Sequence, residues 1–181
     1  MIGNASSGEL IRDEGELQMA IRRHVFISHH HADDETVSKL TGLMHAKSYE
    51  IRNSSIRAKP ANQARIDKGL ISERVIRRLL RMKMRWASTV VVIIGKETAS
   101  RPWVNWEIET AYRLGKRIVG VYERGGTEND VPEAFKSYGD TLVSWNSASI
   151  MDAIEGRADP MEKPDGQQLA PRPGARKGCA A

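Results

Sequence analysis

The sequence predicts an α/β fold in a single domain, with a five-stranded parallel sheet covered by helices on both faces. Short apolar segments alternate with longer segments of helical periodicity along residues 23–155. This alternation favours a parallel sheet, because parallel strands need crossover connections and helices supply them. The segment TVVVIIG at 89–95 is apolar almost throughout, which is typical of a central strand buried on both faces. Together these patterns indicate a flavodoxin-like, doubly wound sheet.

Five segments have strand composition and end at polar or turn-forming residues. They are HVFIS (24–28), YEIRNSSI (49–56), TVVVIIG (89–95), RIVGVY (117–122) and TLVSW (141–145). Helical spacing fills the first three intervals between these strands and recurs after the last strand. These helices are predicted from Asp33 or Asp34 to before Tyr49, over 66–86, from Pro102 to Gly115, and over 149–155. Pro102 suits a first helical position and Gly115 suits a C-terminal cap.

The two ends of the chain are expected to lie outside this domain. Residues 1–22 are predicted to form a partly helical N-terminal extension, without the apolar core of a secretory signal. Residues 156–181 are rich in Pro and Gly and are predicted to be a disordered tail. The single cysteine, Cys179, excludes an internal disulfide framework and a cysteine metal cluster. No apolar run is long enough to span a membrane, so we expect a cytoplasmic protein.

Ligands of open parallel sheets bind outside the carboxyl ends of the strands, near the point where the strand order reverses. Candidate binding segments are therefore those that follow the first four strands. They are His29–Asp34, Ser54–Arg57, Gly95–Thr98 and Tyr122–Arg124.

Helical geometry separates two carboxylates in the segment RPWVNWEIETAYRLGKR at 101–117. Val104, Ile108 and Ala111 form one apolar stripe that must face the sheet. At about 100° per residue, Glu107 lies roughly 60–80° to one side of the stripe, and Glu109 roughly 120–140° to the other. We therefore expect Glu109 to face water and Glu107 to lie at the margin of the buried stripe, where ligand chemistry is feasible.

Alternatives to a chemical role remain open at this stage. Glu107 could instead cap the helix or pair with Arg101 or Lys96, as perturbed carboxylates also do in plain ion pairs. Trp103 lies one turn before Glu107 on the same face. Trp106 lies nearly opposite the apolar stripe, so core packing within one domain does not explain it, and a subunit contact is the remaining hypothesis.

Two other signals favour less specific explanations. Three consecutive histidines, 29–31, point in different directions, and only Asp33 or Asp34 could join them as a further ligand, so no metal site is expected. The helix at 66–86 is strongly basic, which is commoner in solvated helix faces than in nucleic-acid interfaces. A receiver-type phosphorelay domain is excluded because the central strand ends in Gly95 and Lys96, not in an aspartate.

Two segments resemble the Toll/interleukin-receptor (TIR) superfamily. HVFISHHHADD (24–34) resembles the opening box of TIR domains, and TVVVIIGKETASRPWVNWEIETA (89–111) resembles a later box, with Trp103, Glu107, Ile108 and Ala111 at matching positions. The run from Arg23 to Ile154 is most similar to the TIR-like branch of bacteria and archaea that includes the TIR protein of the Thoeris anti-phage system. The second loop, IRAKPANQAR, departs from receptor TIR domains, since it lacks their acidic residue followed by Pro-Gly.

The resemblance implies an enzyme that cleaves the bond between nicotinamide and ribose in NAD, with NAD as substrate and no other cofactor or metal. It implies Glu107 as the catalytic residue, a cyclic or rearranged ADP-ribose signal in anti-phage defence, self-association between TIR domains, and a downstream effector. The residues expected to bind substrate are Phe26, Ser28, His29, His30, Asp33, Ser55, Trp86, Gly95 and Trp103. A non-catalytic interaction module is the alternative function, and nucleic acid is not an expected partner.

Overall fold

The computed structural model describes residues 24–29, 34–46, 49–53, 65 and 68–169. Five strands occur within these residues: β1 (His24–Ser28), β2 (Glu50–Asn53), β3 (Thr89–Ile94), β4 (Arg117–Tyr122) and β5 (Thr141–Val143). They pair in parallel in the order β2-β1-β3-β4-β5. The α/β class with a parallel sheet is therefore confirmed.

Helices connect these strands. The described helices are α1 (Asp34–His45), α2 (Glu73–Trp86), α3 (Pro102–Arg113), α4 (Glu133–Tyr138) and α5 (Ser147–Glu155). Helix α5 begins two residues earlier than predicted, because the Asn146 side chain accepts hydrogen bonds from the backbone N–H groups of Ala148 and Ser149. Helix α4 was not predicted, since its six residues are too few to establish a helical period.

The central strand β3 divides the core into two layers. All six of its residues are buried, and successive side chains point to opposite faces of the sheet. Val90, Val92 and Ile94 join a first cluster that includes residues of α2, α3 and α4. Val91 and Ile93 join a second cluster that includes residues of α1 and α5. The apolar run 89–95 is thus explained by burial on both faces.

The prediction of disorder after α5 is wrong for residues 156–169. Residues 156–169, predicted to be disordered, pack along β5: Met161 forms a parallel bridge with Leu142 and is only 6% exposed. The buried Glu162 carboxylate accepts hydrogen bonds from the Ser144 backbone N–H (2.8 Å) and hydroxyl (2.9 Å). This short segment has no periodicity, so composition alone indicated disorder. The predicted N-terminal extension, 1–22, and residues 170–181 lie outside the described residues.

The described helices include none that combines the length and the apolar character needed to cross a membrane. The longest of them, α2, has 14 residues and carries several arginines.

Gly120, in β4, has no room for a side chain in the first core layer. A Cβ atom at this position would lie 2.6 Å from Phe135 Cζ and 2.8 Å from Leu142 Cδ1. Gly120→Ala is therefore expected to lower the free energy of unfolding by about 1–3 kcal/mol through overpacking.

Gly42, in α1, provides the matched control. A Cβ atom there would meet nothing within 4 Å, so Gly42→Ala is expected to raise the unfolding free energy by about 0.5–1 kcal/mol. Chemical denaturation would measure both variants. Equal stability of Gly120→Ala and the wild type would contradict the packing described here.

Candidate active site at the carboxyl end of the sheet

The strand order reverses between β1 and β3. The chain passes from β1 to the edge strand β2 and then returns to β3 on the other side of β1. The crevice at this reversal is where ligands of open α/β sheets bind. At this point the carboxyl ends of β1 and β3 lie side by side: Ser28 lies opposite Val92, and Gly95 follows directly on β3.

Ser28 and Glu107 meet at this reversal point. Ser28, the last residue of β1, is fully buried, and its hydroxyl donates a hydrogen bond to Glu107 Oε2. Glu107 is only 2% exposed, so the structure buries it more deeply than the margin position predicted from helical angles. A buried carboxylate is costly unless hydrogen bonds compensate for lost water. The Ser28 hydroxyl supplies such a bond from a residue 79 positions away.

The start of α3 fixes where Glu107 lies. Pro102 takes the first helical turn, where its missing N–H is not needed. Asn105 then ties this turn to its surroundings: its side chain donates to the Arg101 carbonyl (3.2 Å) and accepts from the Ala134 N–H (3.0 Å) in α4. The unpredicted helix α4 therefore helps to hold the helix that carries Glu107.

The cations considered as ion-pair partners of Glu107 are engaged elsewhere or exposed. Arg101 forms an ion pair with Glu97, and Lys96 is exposed. Glu97 itself has a left-handed backbone (φ 66°), which closes the turn between β3 and α3.

Glu109 faces the other way, as predicted. Its side chain is 48% exposed and lies 3.4 Å from Arg113, one turn later on α3. The two glutamates of this helix are thus in different environments, one buried and one in solvent.

The tryptophans of α3 pack against α2. The Trp103 and Trp106 rings meet edge to face, with centroids 5.6 Å apart. The Arg77 guanidinium, from α2, lies 5.2 Å from the Trp103 ring and 5.0 Å from the Trp106 ring. Both indoles are partly buried against the first core cluster. The prediction that packing within the domain does not explain Trp106 is therefore wrong, because Trp106 packs against Trp103, the Arg77 guanidinium and the first core cluster.

Two predicted substrate-binding residues do not lie at the carboxyl end of β1. Trp86 ends α2 and stacks on His24 (4.1 Å between ring centroids) at the start of β1, the opposite end of the strand from Ser28. Phe26 is completely buried in the first core cluster. Phe26 lies below Ser28 on the same face of β1 and forms the core beneath the site.

The other predicted residues divide into described and undescribed ones. His29 follows Ser28 directly and is 8% exposed. Gly95 donates its N–H to the Thr98 hydroxyl (3.0 Å), and a Cβ atom at this position would collide with the Glu123 carboxylate. His30, Asp33 and Ser55 lie outside the described residues. Of the predicted set, the structure therefore brings Ser28 and Glu107 into contact, with His29 and Gly95 on adjoining strand ends.

Sequence reasoning did not identify Thr36 as part of this edge. The Thr36 hydroxyl, in α1, donates a hydrogen bond to Glu123, which follows β4. The segment 122–124 was predicted from the topology, but nothing in the α1 sequence distinguishes Thr36 from an ordinary helical threonine.

The comparisons with known proteins identify one family. The family described as Thoeris protein ThsB, TIR-like domain, matches residues 26–128, more than half of the chain. No curated protein sequence matches the chain.

Several solved structures are similar at low identity. The TIR domains of the activated Roq1 resistosome, which directly recognises the pathogen effector XopQ, are 20% identical over 55% of this chain, with a TM-score of 0.40. The match spans 57% of that protein's chain, less than two thirds of its length. The CMP N-glycosidase BcmB of Clostridium botulinum is 11% identical over 74% of this chain and 98% of its own, with a TM-score of 0.47. A prokaryotic SEFIR domain is 18% identical over 75% of this chain and 89% of its own, with a TM-score of 0.42.

No function transfers from these structures at such identities and TM-scores. The family match has a different standing, because it covers β1, β3, α3 and β4 and includes both Ser28 and Glu107. The chain belongs to the Thoeris ThsB family of TIR-like domains.

Proposed function

We propose that this protein is an NAD-consuming enzyme that cleaves the bond between nicotinamide and ribose, with Glu107 as its catalytic carboxylate. The observation that carries the proposal is the burial of Glu107 beside Ser28 at the reversal point of the sheet. Membership of the ThsB TIR-like family supports it. We further propose that the product is a cyclic or rearranged ADP-ribose, made as a signal to an effector in anti-phage defence.

The main requirement of the reaction is a negatively charged group held near ribose C1′. When the bond from ribose C1′ to the pyridinium nitrogen breaks, nicotinamide takes the electron pair and leaves as a neutral molecule. The ribose then carries oxocarbenium charge until water or a nucleophile of the same molecule adds to C1′. A carboxylate near C1′ stabilises this charge, and it acts more strongly in a site from which water is excluded.

Neighbouring residues have supporting roles in this proposal. Ser28 orients the Glu107 carboxylate through its hydrogen bond. Trp103, partly buried one turn before Glu107, offers an aromatic face to the substrate. His29, His30, Asp33, Ser55 and Gly95 are proposed to form the pocket wall.

The proposal is tested by incubating the concentrated protein with NAD and separating the products by chromatography with mass detection. Free nicotinamide with linear ADP-ribose would indicate hydrolysis, and nicotinamide with a product lighter by one water would indicate cyclisation. NAD that remains intact, both with the purified protein and in infected cells expressing it, would contradict the proposal.

A second candidate function, a non-catalytic module that assembles through its helices, is favoured by the outer face of α2. Val75, Leu79 and Met82 are 47%, 40% and 57% exposed, and their spacing places them on one side of the helix. A row of exposed arginines lies beside them: Arg74, Arg78, Arg81 and Arg85. An exposed apolar strip beside concentrated charge is typical of a protein contact surface.

If this surface mediates self-association, the double variant Arg78→Glu and Arg81→Glu is expected to remain monomeric at concentrations where the wild type assembles. Sedimentation velocity would measure this difference. Arg113→Glu, on the exposed part of α3, is the matched control and should assemble as the wild type does. Unchanged assembly in the double variant would exclude this face of α2 as the contact.

A further inference from the structure

A cleft lies at the carboxyl ends of β4 and β5, beside the first turn of α1. Its volume is about 220 Å³, and it is lined by Glu35, Thr36, Lys39, Glu123, Arg124 and Trp145. A wider hollow of about 440 Å³ shares Glu123, Arg124 and Trp145 with it. Neither lining includes Ser28 or Glu107, and the cleft adjoins the candidate active site through Glu123, whose carboxylate lies against Gly95. Together the two spaces are of the size that small ligands occupy.

The wall after β4 is held in place by backbone contacts. Glu123 donates its N–H to the Ile94 carbonyl, and Gly126 donates to the Glu123 carbonyl, both at 2.9 Å. A Cβ atom at Gly126 would lie 2.6 Å from the Ile94 carbonyl oxygen. The turn that presents Arg124 is therefore closely packed on β3.

The wall after β5 is fixed on both sides of Trp145. Ser144 before it is bonded to the buried Glu162 carboxylate, and Asn146 after it caps α5. The Trp145 ring is partly buried against the second core cluster. Because both walls are fixed without a ligand, binding would require little ordering of the chain.

The charged groups of the cleft differ in their ion pairs and hydrogen bonds. Glu35 pairs with Lys39 at 2.6 Å, and the hydrogen bond and charge of Lys39 lower the pKa of Glu35. Glu123 accepts a hydrogen bond from Thr36. Arg124 is exposed and makes no ion pair or hydrogen bond within the described part of the chain. The guanidinium of Arg124 and the ring of Trp145 are thus the groups open to a ligand.

We propose that the cleft binds a nucleoside monophosphate. The Trp145 ring stacks on the base, the Arg124 guanidinium binds the phosphate, and Glu123 accepts hydrogen bonds from the ribose hydroxyls. A bare anion fits less well, because it would leave the Trp145 ring of the lining unused. A base without a phosphate leaves Arg124 unused.

Titration calorimetry of the full chain with adenosine monophosphate, adenosine and inorganic phosphate tests this assignment. We expect the monophosphate to bind more tightly than adenosine or phosphate. Arg124→Gln should weaken monophosphate binding about tenfold or more and leave adenosine binding within about twofold. Trp145→Ala should weaken both ligands about tenfold, and Trp145→Phe should restore most of the affinity because it keeps a stacking ring.

Two controls separate this site from other surfaces. Arg74→Gln, on the exposed side of α2, should bind the monophosphate as the wild type does, and so should Glu107→Gln. The assignment is overturned if the monophosphate does not bind, if it binds Arg124→Gln with wild-type affinity, or if phosphate alone binds as tightly. Arg124 is exposed, so its replacement tests the site even if Trp145→Ala fails to fold. Because Glu107→Gln should retain monophosphate binding while losing NAD cleavage, the two proposals fail independently.

Discussion

Glu107→Gln is expected to release nicotinamide from NAD at least about a thousandfold more slowly than the wild type. The substitution keeps the shape of the side chain and its ability to accept a hydrogen bond from Ser28. It removes the negative charge that would stabilise the oxocarbenium ion. A thousandfold loss corresponds to about 4 kcal/mol of transition-state stabilisation, which is large because Glu107 is almost fully buried. Quantifying nicotinamide by chromatography measures the effect.

Glu109→Gln is the matched control, since it makes the same change two residues later on the exposed side of α3. Its rate should remain within about twofold of the wild type, as expected for a surface substitution away from the site. If Glu107→Gln retains full activity, or if both variants lose activity equally, Glu107 is not the catalytic carboxylate.

Ser28→Ala is expected to lower kcat about 10–100-fold, with a smaller change in KM. The hydroxyl of Ser28 orients the Glu107 carboxylate, and a small loss of orientation in a buried site is costly to the rate. Ser28→Thr keeps a hydroxyl and should recover part of the activity. Steady-state kinetics on the two variants would separate an orienting role from a purely steric one.

Ser100→Ala provides the control for removal of a serine hydroxyl. Ser100 is exposed, and within the described part of the chain its hydroxyl donates only to the nearby Glu97 carbonyl. Its kcat should be unchanged. Wild-type kcat in Ser28→Ala would show that the hydrogen bond to Glu107 does not contribute to turnover.

The parts of the site that were predictable from sequence depend on strong local patterns. The apolar run at 89–95 identified the central strand, and the helical angles of the following segment separated Glu107 from Glu109. These predictions needed only strand and helix periods. The partnership of Glu107 with Ser28 depends on the pairing of β1 with β3 and the packing of α3 on that face, which no local pattern encodes.

The prediction for Trp86 failed for a topological reason. A helix that connects two parallel strands runs opposite to them, so its last residues lie at the amino ends of the strands. Trp86, which ends α2, therefore lies beside His24 at the start of β1. Trp103, in the first turn of α3, lies near the carboxyl ends for the same reason. Helix direction could have excluded Trp86 before the structure was known.

The remaining misses concern packing between segments that are distant in sequence. The Arg77 guanidinium, from α2, lies over the Trp106 ring, and Met161 forms a parallel bridge with Leu142 of β5. Neither contact has a periodic signature in the sequence. The short helix α4 also acts through a contact between distant segments, because its Ala134 N–H donates a hydrogen bond to the Asn105 side chain in α3.

The most direct test of the central claim compares the wild type with Glu107→Gln at equal concentration, both as purified proteins and in infected cells expressing them. NAD and its products are separated by chromatography with mass detection. The account predicts that nicotinamide accumulates together with an ADP-ribose product in the wild type and that NAD remains intact in the variant. Equal nicotinamide release by the two proteins would contradict it.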